Sequence, residues 1–141
     1  MQKLWFGEPT LDVLLHLGKN TMVEHCGIQF ATIGDDFVEA TMPHEPKNLQ
    51  PYGFMHGGAN CVLAETLGSI ASAMVIDNSK YNCVGIEINA SHLRSVRHGF
   101  VTGKCMPVRI GKTVHVWQID ITDSQGKLTC VSRLTVAIVP K

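Results

Sequence analysis

The chain has 141 residues, 45% of them hydrophobic, and this length fits a single domain, residues 1–141, with one substantial core. Twelve basic and twelve acidic residues give zero formal net charge, so no overall field favours nucleic acid or an anionic membrane as a partner. Five cysteines without a CxxC pair argue against a disulfide framework and against a zinc site. The chain begins MQKLWFGEPT, without a signal-peptide pattern, and no stretch approaches the roughly 20 apolar residues of a membrane span. These observations predict a soluble protein of the reducing cytoplasm.

The first predicted elements are a helix and a hairpin. Pro9 to Gly18 has the starting residues and the leucine spacing of a short amphipathic helix. Gly27 to Ile33 and Phe37 to Met42 alternate apolar and polar residues around the turn Gly34-Asp35-Asp36, which predicts an antiparallel hairpin. A proline-rich loop, Pro43 to Gly53, then delivers the chain to its central segment.

The central segment, Gln50 to Met74, predicts the one long helix, which begins near Gly57. Helical spacing gives it an apolar stripe of Leu63, Leu67, Ile70 and Met74 and a small polar stripe of Gly58, Cys61, Glu65, Ser69 and Ser72. A solvated face would normally carry Lys, Arg, Glu and Gln. The small polar stripe therefore indicates close approach of a second backbone or of a ligand.

The remainder of the chain predicts strands joined by short, turn-rich connections that allow antiparallel neighbours but no helical crossovers. The four predicted strands are Asn82 to Ser91, Gly99 to Arg109, Thr113 to Thr122 and Lys127 to Val139. We therefore expect an α+β domain in which five or six antiparallel strands wrap the central helix. Because nothing else in the chain can cover the small polar stripe, we also expect a homodimer.

Three stretches resemble the hotdog-fold acyl-CoA thioesterases: LQPYGFMHGGANCVLAETLGSIA, VGIEINASHLRSVRHG and VWQIDITDSQGKLTCVSRLTVAIV. The resemblance covers the chain from about Asp12 onward and is greatest to the branch that hydrolyses aromatic acyl-CoA esters, such as 1,4-dihydroxy-2-naphthoyl-CoA of menaquinone biosynthesis. It implies the hotdog fold and a homodimer that assembles into a tetramer. Asn60 and the pair Asn82-Cys83 depart from the family pattern. We expect these departures not to affect the catalytic positions. They leave the assignment of the substrate open.

The resemblance implies a role for each residue of the central segment that carries chemistry. The Gly57 N–H at the helix start would polarise the thioester carbonyl, and the Gln50 side chain would help to place it. Glu65 would act as nucleophile or general base in the site whose oxyanion hole belongs to the other subunit. Ser69, one turn after Glu65, would orient the attacking water, and His56 would give orienting support.

The same resemblance assigns the CoA contacts. His92 and Arg94 would bind CoA, together with Ser95, Gly111 and Lys112. Clustered cations beside a cleft suit phosphate groups, although such a run is more often a solvated strand end. No metal and no cofactor are expected.

Other readings of these residues remain open. A Gly pair before a helix is most often only a helix start, and an ion pair with Arg94 or Arg133 could satisfy Glu65. The chain has no G-x-S-x-G, H-E-x-x-H, P-loop or G-x-G-x-x-G motif. The alternatives are a dehydratase or hydratase acting on acyl thioesters, a noncatalytic acyl-CoA binding module, and a thioesterase that acts on carrier-protein substrates. Glu65 followed by Ser69 favours hydrolysis. The slot formed by Leu67, Ile70 and Met74 with Phe54 and Met55 is expected to accept an aromatic acyl group.

Overall fold

One long helix lies against a six-stranded antiparallel sheet in the computed structural model, which describes residues 3 to 141. The helices are α1 (Leu11–Gly18), α2 (Met22–His25) and α3 (Gly57–Val75), with a single 3-10 turn at Pro46–Asn48. The strands are β1 (Gln29–Ile33), β2 (Val38–Pro43), β3 (Tyr81–His92), β4 (Phe100–Ile110), β5 (Val114–Asp123) and β6 (Leu128–Pro140). The last four strands begin and end within one residue of the predicted bounds. The expected hotdog arrangement is confirmed.

The amino-terminal helix begins at Leu11, where the Thr10 side chain accepts a hydrogen bond from the Val13 N–H as an N-cap. It ends at Gly18, as predicted. Helix α2 was not predicted, because four residues are too few for a periodic apolar pattern. The segment before α1 is anchored by Trp5, which stacks on Trp117 with ring centroids 6.4 Å apart.

The order of strands in the sheet is β1-β2-β4-β5-β6-β3. The predicted β1–β2 hairpin is confirmed, and β4, β5 and β6 are consecutive neighbours. The connection after β3 would also allow β3 to lie beside β4, but the sheet does not have this order. Strand β3 pairs with β6 at the far edge of the sheet. The connection from His92 to Phe100 therefore crosses β6 and β5 before the chain enters β4. Among residues 3–141, no strand pairs with the second long edge of β3.

Two glycines allow α3 to lie unusually close to the sheet. A Cβ on Gly103 of β4 would come within 2.6 Å of Leu67 Cδ1 and 3.3 Å of Leu63. On the helix itself, the absent side chain of Gly68 makes room for Leu134 of β6. Leu63 and Leu67 are completely buried by this packing, as the apolar stripe predicted. The close contact fixes the position of α3 relative to every strand that it touches.

Ser72 faces the sheet, whereas we expected it on the small polar stripe and available to a partner. It is completely buried, and its Oγ accepts a hydrogen bond of 2.7 Å from Trp117 Nε1. Nδ1 of the buried His115 lies 3.1 Å from the same Oγ. The three side chains form a polar network in the core, and a bulky replacement of Ser72 would disrupt this network rather than an intersubunit surface.

Helix α3, with 19 residues, is the one helix between residues 3 and 141 long and apolar enough to cross a membrane. This match rests on length and composition alone. Buried core helices meet the same criterion, and α3 packs against the sheet.

The buried His115 predicts a loss of stability in acid. Burial lowers the pKa of His115, so below about pH 6.5 the unfolded chain binds a proton that the folded chain does not. As the pH falls from 6.5 to 5.5, this imidazole alone should lower the free energy of unfolding. Urea denaturation at the two pH values should show a smaller acid loss in His115→Gln than in the wild type.

The matched control is His98→Gln, which removes an exposed imidazole and should keep the full acid loss. Comparing each protein with itself at two pH values cancels the constant cost of altering the core. Equal acid losses in the wild type and in His115→Gln would show that the buried imidazole does not titrate as proposed.

Candidate active site

The loop before α3 is held in place by backbone hydrogen bonds from both sides. The His56 N–H donates to the Asn48 carbonyl at 2.8 Å, and the Met55 N–H donates to the Val96 carbonyl at 2.9 Å. The second bond ties the loop to the connection that follows β3. The start of α3 and the end of β3 are therefore fixed side by side.

His56 caps α3. Its Nδ1 accepts a hydrogen bond of 2.8 Å from the Gly58 N–H, so the Gly58 amide is not free to bind a ligand. The Gly57 N–H has no acceptor among residues 3–141. One amide at the positive end of the helix dipole thus remains available to a ligand. It is the amide to which the family resemblance assigned the thioester carbonyl.

A cleft of about 330 Å³ opens beside this amide. Among the residues that line it are five of the predicted site residues: Gln50, Gly57, His92, Arg94 and Ser95. The Gln50 side chain is held by its Oε1, which accepts hydrogen bonds from the backbone N–H groups of Tyr52 and, at 3.4 Å, of Phe54. Its amide Nε2 is therefore the group left to donate to a ligand.

Glu65 lies two turns further along α3, half-buried on the side that faces β3. Its Oε1 accepts a hydrogen bond of 3.4 Å from the Ser69 hydroxyl, and the carboxylate packs against Gly85, where a Cβ would collide with it. Ion pairing with Arg94 or Arg133 was an open alternative, but none of the three ion pairs between residues 3 and 141 includes Glu65. The carboxylate is thus oriented by a hydroxyl and is free of a cation.

The two central groups do not meet within one chain. Glu65 follows Gly57 by eight residues of helix, which places their backbones about 12 Å apart along the axis. Glu65 is absent from the lining of the cleft, and its carboxylate bonds to a hydroxyl on the far side from Gly57. A single chain therefore holds an amide with a cleft at one place and a carboxylate with a hydroxyl at another.

Gly111 and Lys112 lie far from the other predicted CoA contacts. His92 pairs with Cys130, at one end of the sheet. Gly111 follows Ile110 at the end of β4. The row of paired residues that runs from Ile110 across β5 and β6 ends at Gly85 of β3, and not at His92. Seven residues of strand separate these rows, which is roughly 20 Å. Within one chain the structure does not bring Gly111 and Lys112 to the cleft.

The expected apolar slot is divided among three places. Leu67 and Met74 are buried in the core, whereas Phe54 and Met55 line the cleft at the start of α3. Ile70 instead borders a separate groove of about 290 Å³. This groove was not predicted from the sequence. Three exposed apolar side chains of the amino-terminal region complete it: Phe6, Val13 and Leu17.

Asn60 also lines the cleft, although we expected it to leave the catalytic positions untouched. It is 6% exposed, and its Nδ2 lies 3.4 Å from His92 Nδ1. Its spacing of three residues from Gly57 on the same helix was the signal that could have placed it there.

Two cysteines, Cys61 near Glu65 and Cys130 near Cys61, are not suited to act as nucleophiles. Burial, with a further contribution from the Glu65 carboxylate, raises the pKa of Cys61. Burial raises the pKa of Cys130 to about 11. Both thiols therefore stay protonated at neutral pH, and the thiolate is the reactive form. Among the described side chains of this face, Glu65 is the candidate for the nucleophilic or basic group.

Known proteins with the same architecture identify the class. Residues 52–130 match the Thioesterase superfamily. A 1,4-dihydroxy-2-naphthoyl-CoA hydrolase from Escherichia coli is 46% identical over 136 residues, which is 96% of this chain and 99% of the relative. A proofreading thioesterase EntH from Cronobacter sakazakii is 45% identical over 136 residues, covering 96% of this chain and 98% of that protein. The crystal structure of a mutant thioesterase from Pseudomonas aeruginosa superposes with a TM-score of 0.97 at 43% identity, covering 99% of this chain and 100% of that one.

The chain belongs to the thioesterase superfamily, and its fold is the hotdog fold of these relatives. It is an enzyme that hydrolyses thioesters.

Proposed function

We propose that this enzyme hydrolyses aromatic acyl-CoA thioesters, of the 1,4-dihydroxy-2-naphthoyl or benzoyl type, in a site shared between two copies of the chain. The observation that carries the proposal is the separation of Gly57 and Glu65 by about 12 Å on one rigid helix. Hydrolysis needs a polarised carbonyl and a nucleophile within bonding distance of each other. The carboxylate that serves one cleft must therefore come from a second copy.

The free edge of β3 is the surface that would bring the two copies together. It is 12 residues long, and Val84 and Ile86 on it are 53% and 61% exposed. A long apolar edge strand is a template for pairing with another strand. Antiparallel pairing of β3 with β3 of a second copy would give a homodimer with one continuous sheet.

The contacts of β3 also set the register of this pairing. The His92 ring lies against Gly57, and Gly85 lies against Glu65 of the same chain. If Gly85 of the second copy lies opposite His92, the second copy's Glu65 arrives at Gly57. Residues directly opposite in an antiparallel pair share one face of the sheet, so both would face the helices. The two-fold axis would then pass near Ile88 and Asn89, and two identical sites would form.

In the proposed reaction the Gly57 N–H donates to the thioester carbonyl oxygen, and Gln50 Nε2 helps to hold it. Glu65 from the second copy either removes a proton from water, whose oxygen then attacks the carbonyl carbon, or attacks that carbon itself. The carbon–sulfur bond breaks, and the CoA thiolate leaves and takes up a proton. Ser69 orients the carboxylate and the attacking water. His56 keeps the Gly58 N–H occupied and so fixes the helix start.

CoA would lie along the rim of the cleft, where Arg94 offers a cation to its phosphates and Ser95 a hydroxyl. Gly111 and Lys112 would reach the same CoA only from the second copy. The proposed pairing supports this arrangement, because it places the second copy's Gly85 end of the sheet beside His92. Assembly of two such dimers into a tetramer is part of the proposal.

The acyl group would extend from Glu65 and Ser69 into the groove beside Ile70. This groove lies about one helical turn beyond Ser69 and is lined mainly by apolar side chains, among them Phe6 and Leu17. An aromatic acyl group suits such a surface. The name of the Escherichia coli relative supports an aromatic CoA ester. A place in menaquinone biosynthesis, which the sequence resemblance implied, is part of the proposal. A carrier-protein thioester, the alternative that the sequence left open, is the second candidate substrate.

Replacing Glu65 should abolish turnover and leave the fold intact. Glu65→Gln keeps the shape of the side chain and the contact with Ser69 but removes the charge, so kcat should fall by about 10²- to 10⁴-fold. Steady-state assays of thiol release measure the change in kcat, and circular dichroism checks the fold. Ser69→Ala is the matched variant and should cost much less. A folded Glu65→Gln protein that turns over at the wild-type rate would remove Glu65 from the mechanism.

A panel of CoA esters tests the acyl assignment. We expect kcat/KM to be higher for benzoyl-CoA and naphthoyl-CoA types than for acetyl-CoA or palmitoyl-CoA. Leu17→Trp, which narrows the groove at an exposed position, should lower kcat/KM for the aromatic esters more than for acetyl-CoA.

Arg94→Ala is the companion variant in the same panel. It should lower kcat/KM for every CoA ester by a similar factor, because the phosphate contact is common to all, and the effect should fade at high salt. A preference for palmitoyl-CoA, or an Arg94 effect confined to one acyl group, would mean that the acyl and CoA ends are misplaced.

A further inference from the structure

Asn60 makes an unusual contact in the cleft. The residue is 6% exposed, yet its Oδ1 is buried and has no hydrogen-bond partner. Its Nδ2 is 3.4 Å from Nδ1 of His92. A buried amide with one half unpaired is disfavoured in a residue that serves packing alone, and a smaller or apolar side chain would avoid it. The contact between the Asn60 NH₂ group and His92 therefore calls for a functional explanation.

The chemistry of the amide fixes the proton on the imidazole. With its NH₂ group toward His92, Asn60 donates and cannot accept, so in this orientation the ring nitrogen that it contacts is the acceptor. A neutral imidazole has one N–H and one bare nitrogen. Nδ1 of His92 is therefore the bare nitrogen, and the proton lies on Nε2.

That Nε2 lies at the catalytic end of the cleft. It is 2.8 Å from the position that a Cβ would occupy on Gly57, so only glycine allows the ring to sit there. The Gly57 N–H is the one free amide at the start of α3. Two N–H donors, one from the backbone and one from an imidazole, therefore border the same part of the cleft.

We infer that Asn60 is a positioning residue that holds His92 as its Nε2–H tautomer, so that His92 donates a further hydrogen bond to the thioester carbonyl oxygen, beside those from the Gly57 N–H and Gln50 Nε2. The inference rests on the proposed function and adds a catalytic role to a residue first assigned to CoA. No proton is transferred to the substrate: the imidazole stays neutral, and its N–H stabilises the negative charge that develops on the oxygen as the carbonyl carbon is attacked.

The tautomer is measured directly by NMR of protein labelled with ¹⁵N-histidine, in long-range proton–nitrogen correlation spectra of the free enzyme. His92→Gln identifies the signals that belong to His92. In the wild type these should show a protonated Nε2 and a bare Nδ1. Asn60→Asp keeps the side-chain shape but offers only acceptors, so it should move the proton to Nδ1 or give the imidazolium. A wild-type His92 protonated at Nδ1 would overturn the inference.

Kinetics separate a carbonyl donor from a CoA contact. Two thioesters of the same aromatic acid are compared, the CoA ester and the N-acetylcysteamine ester, which lacks the nucleotide. His92→Leu should lower kcat by about 10²- to 10³-fold on both esters. His92→Gln, whose amide N–H can reach the same place, should recover part of the loss. A His92→Leu effect confined to KM for the CoA ester would return His92 to CoA binding and overturn the inference.

The two assays also distinguish this inference from the proposed function. If the wild type hydrolysed neither ester, the proposed function would fail, whereas the NMR spectrum reads the tautomer without substrate and decides the positioning role of Asn60. Circular dichroism confirms that each variant is folded before its kinetics are compared.

Discussion

The rigidity of α3 is the constraint on which the proposed site depends. Close packing of Gly68 on Leu134 and of Gly103 on Leu67 leaves the helix no freedom to slide or turn on the sheet. The free amide at Gly57 and the carboxylate at Glu65 are consequently held about 12 Å apart in any one chain. The helix cannot bring the two groups together by bending. In the proposed site, a second chain therefore has to supply the missing group.

The position of β3 at the edge of the sheet connects the fold to the proposed chemistry. Because β3 pairs with β6 and not with β4, one of its edges stays free along 12 residues. The same strand carries His92 to the start of α3 and provides Gly85 as the surface on which the Glu65 carboxylate packs. One strand thus contacts both halves of the proposed site. It is also the element through which a second copy could bring those halves together.

Local sequence patterns were sufficient for most of the fold. Apolar periodicity predicted α3 and the four long strands, and the Gly34-Asp35-Asp36 turn predicted the first hairpin. The neighbour of β3 was not predictable from a short connection, because strand order is decided by long-range packing on the helix. Ser72 was misplaced for a similar reason: its hydrogen bond with Trp117 comes from a residue 45 positions away. In the candidate site, residues close in sequence were easily grouped, whereas the contact of Asn60 with His92 spans 32 positions.

Subunit complementation tests the shared site most directly. Glu65→Ala removes the carboxylate, and Gly57→Val displaces His92 and obstructs the free amide, so each homodimer should be inactive. When the two variants are coexpressed with different tags, each mixed dimer should contain one site with both groups intact. Random association should then restore about a quarter of wild-type activity, all of it in the doubly tagged fraction. Purified mixed dimers without activity would contradict the account, because they would show that Gly57 and Glu65 must belong to the same chain.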